Sequence, residues 1–167
     1  MHATVQILLV APFLAYACWR DLSARMIPDA ISIVLVGLGL AARLSAGGEA
    51  ALHSLLAASL LFAVLLFCAT RGWLGGGDVK LMGAVAVGMS PATVWDFTFF
   101  TALAGGMLGV VYLAGPHFAP RLVPPPGAGL MPRLVAVEAW RLRRRGPLPY
   151  GFAIAAGALA ALAASSH

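Results

Sequence analysis

The sequence predicts an all-α, polytopic membrane protein with about six transmembrane helices. Composition is the first sign: of 167 residues, 61% are hydrophobic and only 10% charged, with a mean hydropathy of +0.92. A soluble domain of this length carries about a quarter charged residues. The second sign is segmentation, because the apolar residues gather into six runs separated by short polar stretches. The third is the placing of the basic residues, almost all in alternate loops. A net charge of +5 does not imply nucleic acid here, since the arginines lie between apolar runs and form no basic stripe with interleaved aromatics.

The first run, residues 5–19, holds Ala15-Tyr16-Ala17, which resembles a small-x-small cleavage site. Met1 to Thr4 contain no Lys or Arg, as a secretory leader would, so the run is expected to stay as a span. The second and third runs are residues 27–42 and 52–69. The fourth, residues 81–89, is shorter than the ~20 residues that cross the hydrocarbon, so its ends are expected in a thinned or watery region. The fifth, residues 93–115, carries Ala102, Gly105, Gly106 and Gly109, small residues that permit close helix packing. The sixth is residues 148–164. Pro28 and Pro149 suit first-turn helix positions, where a missing N–H costs nothing. Between the fifth and sixth runs, residues 120–132 read as an extended hinge around Pro124-Pro125-Pro126. Residues 133–145 read as a basic amphipathic helix, with Leu134, Val137, Trp140 and Leu142 towards acyl chains and the arginines reaching anionic lipid headgroups. Residues 1–167 are expected to form one membrane-embedded domain, with the hinge and basic segment at about 116–147.

If all six runs cross, the loops after the first, third and fifth lie on one side. They hold Arg20 and Arg25, then Arg71 and Lys80, then Arg121, Arg133, Arg141, Arg143, Arg144 and Arg145, which is 10 of the 11 basic residues; only Arg43 falls opposite. The positive-inside rule makes that side cytoplasmic and puts both termini outside. Asp21 ends the first run and Asp78 precedes the fourth, so both aspartates are expected at the cytoplasmic face, with Asp29 nearby and Glu49 and Asp96 outside. Two carboxylates at one shallow depth can share a proton, one activating water as a base while the other polarises a carbonyl. Gly75-Gly76-Gly77 before Asp78 is a stretch free of side chains, able to take positive φ and admit an extended peptide. Cys18 and Cys68 are far apart and read as buried, inert thiols, and His2, His53, His117 and His167 have no ligand-like spacing, so no metal is expected. The bland alternative pairs Asp21 with Arg20 and Asp78 with Lys80 in the headgroup region.

The segment Gly75-Gly76-Gly77-Asp78 fits the Gly-x-Gly-Asp signature of intramembrane-type aspartic proteases. With Val79-Lys80-Leu81-Met82-Gly83-Ala84, Asp21-x-x-x-Arg25-x-Ile27-Pro28 and Pro149-Tyr150-Gly151-Phe152-Ala153-Ile154-Ala155, the chain resembles prepilin peptidases over nearly its whole length. The resemblance implies a cofactor-free aspartic endopeptidase of the bacterial inner membrane that removes the short basic leader of type IV prepilin or pseudopilin precursors at the cytoplasmic face. Asp21 and Asp78 match the catalytic pair; Gly75, Gly76, Gly77, Lys80, Arg25, Pro28, Asp29, Pro149, Tyr150 and Gly151 would bind substrate or shape the site. Larger relatives add a domain with paired cysteines associated with N-methylation; this chain resembles the short form serving Flp-type (tight-adherence) pilins, and methylation is not expected. Asp29 departs from the Asn more usual after Ile-Pro and adds a third carboxylate. Two other readings stand beside this one: a small proton- or cation-coupled transporter using Asp21 and Asp78, and a pilus-assembly scaffold. The transporter would place ionisable residues at mid-membrane, and none lies deep in a run.

Overall fold

The computed structural model describes residues 3–122, 127, 129–144, 146 and 148–165. These form seven α-helices: α1 (Ala3–Ala24), α2 (Asp29–Ser45), α3 (Gly48–Thr70), α4 (Gly76–Val87), α5 (Pro91–Phe118), α6 (Leu130–Arg143) and α7 (Tyr150–Ala164). Three are long and apolar enough to cross a membrane, over Val5–Ala24, Gly48–Thr70 and Pro91–Phe118. The six apolar runs become α1 to α5 and α7. The basic segment becomes α6, which begins at Leu130, so Pro132 lies in its first turn rather than in a hinge. The triple proline at 124–126 is outside the described residues.

Large apolar side chains such as Leu8, Leu60 and Val110 point outwards, whereas Ala17, Ala58, Ala86, Ala158 and Ala161 are buried. A bundle in lipid gains nothing by hiding leucine from an equally apolar solvent, and close packing of small residues holds it together instead. Gly39 approaches the backbone of Gly88, where a Cβ would lie 2.7 Å from the Gly88 nitrogen. Gly157 meets Thr101 just as closely, which lets α7 lie against α5. The seam expected in the fifth run is only partly used. Gly105 faces the Tyr150 ring, but Gly106 borders open space and Ala102 is exposed.

The short α4 lies inside the bundle. Leu81 to Met89 are all buried, and α4 packs against α2, α3 and α7. Its 12 residues rise only ~18 Å, which suffices for a helix shielded from lipid by protein. At one end of the bundle, the Gln6 amide donates to the Gly88 carbonyl at 2.6 Å and Arg43 Nε donates to Ser54 Oγ at 2.6 Å. Because α1 runs antiparallel to α4, the end of α1 and the start of α4 meet at the other end, beside the start of α7. Pro28 and Pro149 sit one position before the expected first turn, as the residues capping α2 and α7.

Candidate active site

Asp21 lies in the last turn of α1, which continues to Ala24 rather than ending before the aspartate. It is buried, and its Oδ2 accepts the Gly151 N–H at 2.9 Å. Gly151 is the second residue of α7, so the carboxylate rests on one of the helix's unpaired N–H groups, at its positive end. Only glycine fits there comfortably, since a Cβ would lie 3.0 Å from Asp21 Oδ2 and 3.2 Å from Asp21 Cβ. The Gly151 carbonyl also accepts the Cys18 thiol at 3.4 Å.

Asp78 is the third residue of α4, and its carboxylate folds back beside Gly75, the residue capping the helix. Its place three residues after the cap is the one from which an acidic side chain reaches back to a helix start. It also redefines the glycine triplet. Gly75 is extended at φ −73°, Gly76 and Gly77 are already helical, and the positive-φ glycines among the described residues are Gly47, Gly72 and Gly127. What Gly75 supplies is room, because a Cβ would sit 2.9 Å from Asp78 Oδ2. Gly77 lies beside Ile27, where a Cβ would make an ordinary contact at 3.6 Å, and Gly76 borders open space, so neither position demands glycine for room. Asp78 precedes the apolar run of α4 and lies outside the three long spans. Its carboxyl is pushed up to about 6, mainly by burial and further by the charge of Asp21; the Gly75 N–H and Arg25 act in the opposite sense. The charge of Asp21 thus reaches Asp78, and Tyr150 lies within the field of Asp78.

The cation beside Asp21 is Arg25, one turn on, rather than its neighbour Arg20. Arg25 Nη1 is 3.8 Å from Asp21 Oδ1, while Nη2 donates to both oxygens of Glu138 at 3.0 and 3.2 Å and to the Tyr112 hydroxyl at 3.3 Å. Tyr112 in turn donates to Glu138 Oε2 at 2.6 Å. Arg141 donates to Glu138 and, at 2.8 Å, to the Leu22 carbonyl. Arg25 takes a left-handed φ of 52°, an unfavourable conformation for a residue with a side chain and one that this network holds in place. Glu138, Tyr112 and Arg141 are what sequence reasoning missed. The sequence turns Leu134, Val137, Trp140 and Leu142 towards lipid, but one face of α6, with Ala136 and Ala139 buried, turns inward, and of those four only Val137 and Trp140 are exposed. The available signal was a lone glutamate in a helix otherwise charged only by arginine.

Lys80 and Asp29 stand apart from this cluster. Lys80 Nζ pairs with Asp29 Oδ1 at 3.0 Å, with 53% and 68% of the two side chains exposed. Asp29 therefore lies on the rim, neutralised by Lys80, and Lys80 does not pair with Asp78. Among the described residues, no group of three or more His, Cys, Asp or Glu side chains is placed to hold a metal ion.

Helices that are apolar outside and tight within, carrying two interacting carboxylates at helix termini on one end of the bundle, define a helical integral membrane protein with an acid pair. The chain belongs to the type IV leader peptidase family, whose model matches residues 8–110, a stretch that includes Asp21 and Asp78. It is 33% identical over 143 residues to a prepilin leader peptidase/N-methyltransferase of Bacillus subtilis (strain 168). The match covers 84% of this chain and 48% of that protein, so the chain spans about half the length of the curated relative it matches. No solved structure matches the chain.

Proposed function

We propose that this chain is a membrane aspartic endopeptidase that cleaves the basic leader from prepilin-like precursors, with Asp21 and Asp78 as its catalytic pair. The observation that carries the reading is their convergence. Each carboxylate is held at a helix start, Asp21 by the Gly151 N–H and Asp78 folded against Gly75, and the charge of Asp21 reaches Asp78. The pair shares one proton. The ionised carboxylate takes a proton from water as the water oxygen bonds to the scissile carbonyl carbon, and the protonated partner donates to the carbonyl oxygen. The tetrahedral diol then collapses, the C–N bond breaks and the leaving amine takes up a proton.

The family resemblance extends the proposal to a six-span topology formed by α1 to α5 and α7, with the site at the cytoplasmic face of the bacterial inner membrane and both termini outside. On this reading the seven helices form one peptidase unit, α6 rests against anionic headgroups through its outer arginines, and the substrates are Flp-type pilins. Leader cleavage is the activity proposed; methyl transfer, which the name of the Bacillus relative includes, is not part of it. Membership of a peptidase family disfavours the transporter.

The shared proton has a pH consequence. The pair works singly protonated, so cleavage is expected to fall with unit slope as pH rises through about 6, where Asp78 gives up its proton. The cleavage rate of a synthetic precursor in detergent micelles, followed across that pH, checks this; a flat profile contradicts it.

Glu138 is a positioning residue in this scheme, because it holds the guanidinium that faces Asp21. Glu138→Gln breaks a partly buried ion-pair network and is expected to cost about 3 kcal/mol of stability. It should also lower kcat ~10-fold with KM little changed, and Glu138→Asp should recover part of the loss. Lower stability with unaltered kcat would limit Glu138 to holding the fold.

A further inference from the structure

A groove of about 560 Å³ runs along the outside of the bundle between α2 and α3, with α4 as its floor. Its walls are Ile33 and Val36 from α2 and Leu55 and Phe62 from α3, and its floor is Ala84 and Val87 from α4. It opens towards lipid, since Ile33 is 70% exposed and Val36, Leu55 and Phe62 are also exposed. One end is closed by Lys80 and Asp29, and Lys80 follows Asp78 by two residues. From Lys80 to Val87 the floor covers ~10 Å of helix rise, about two turns of another helix.

We infer that this groove seats the first apolar turns of the precursor's own helix, with Asp29 receiving a basic residue of the leader in place of Lys80; the inference rests on the peptidase reading above. Two features favour a peptide helix over a lipid tail. The groove reaches the catalytic end of the bundle, because its floor is the helix in whose first turn Asp78 stands, so the leader of an occupant lying in it emerges at the end that carries the acid pair, round α4 from the groove. Its charge pattern matches a basic leader followed by an apolar run: apolar along the walls, with an exposed carboxylate at the catalytic end. The Lys80–Asp29 pair is a replaceable one, since ion pairs this exposed contribute little, and one cation can take the place of another at Asp29.

The test places a photo-crosslinking amino acid at Ile33 or Leu55, and at Leu103 or Val110 on the outer face of α5 as controls. Each is introduced into the Asp78→Asn chain, in membranes that also contain a prepilin-type precursor. Precursor adducts are expected from the groove positions only, reduced several-fold by Asp29→Lys. Lipid adducts alone from the groove, or equal precursor adducts from α5, would overturn the inference. The chain with both aspartates, tested on the same precursor in the same membranes, separates the two claims: cleavage with adducts only from α5 sinks the groove alone, and no cleavage removes the peptidase reading and the groove with it.

Discussion

Replacing either aspartate by asparagine is expected to lower cleavage at least ~10³-fold while leaving the helices assembled. The substitution is nearly isosteric, and it keeps the structural half of each carboxylate's work. An asparagine carbonyl at position 21 can still accept the Gly151 N–H, and an asparagine at position 78 still fits the space that Gly75 leaves. What is lost is a titratable group, so the pair can no longer hold one proton between two oxygen acids. The two single variants should be about equally inactive, and the double variant little worse than either, because groups that act as a unit are not additive. Thermal unfolding in detergent should separate them from wild type by no more than a modest shift. A large loss of stability in Asp21→Asn alone would mean that its bond to α7 matters more to the fold than to the reaction.

Gly151→Val carries the second largest effect. Even one added carbon at this position would stand 3.0 Å from Asp21 Oδ2 and 3.2 Å from Asp21 Cβ, and valine adds two more. Either α7 backs away or Asp21 swings off its N–H donor. Overpacking of this kind costs about 1–3 kcal/mol. The catalytic loss should be larger in proportion, ~10²-fold or more, since a displacement of ~1 Å in a reacting group is enough for that. Measuring kcat beside the melting temperature distinguishes the two effects. Cleavage at wild-type rate would show that Asp21 can work away from the start of α7.

The acid pair was legible in the sequence because lipid makes charge expensive. In a chain with six acidic residues, two aspartates beside apolar runs, on the side that the arginines mark, stand out by arithmetic alone. Gly151 was legible only through the resemblance, since nothing local explains why a helix start 130 residues from Asp21 should meet it. Glu138 was not legible, because its partners Arg25 and Tyr112 lie 113 and 26 residues away and hydropathy sorts α6 as a surface helix. Of the glycine triplet, only Gly75 has a close neighbour that demands it, and the demand is space for a carboxylate folding back onto its own helix, where the sequence suggested backbone freedom. The shortness of α4 was visible, but its burial by three neighbouring helices exists only in the packed bundle.

The most direct test of the central claim is the intact mass of a Flp-type prepilin co-expressed with the wild-type chain, with Asp21→Asn or with Asp78→Asn, each confirmed to be present in the membrane. The account predicts a shortened precursor, cut between its basic leader and its apolar run, with wild type, and the full-length precursor with both variants. The same shortened product from both variants would contradict it.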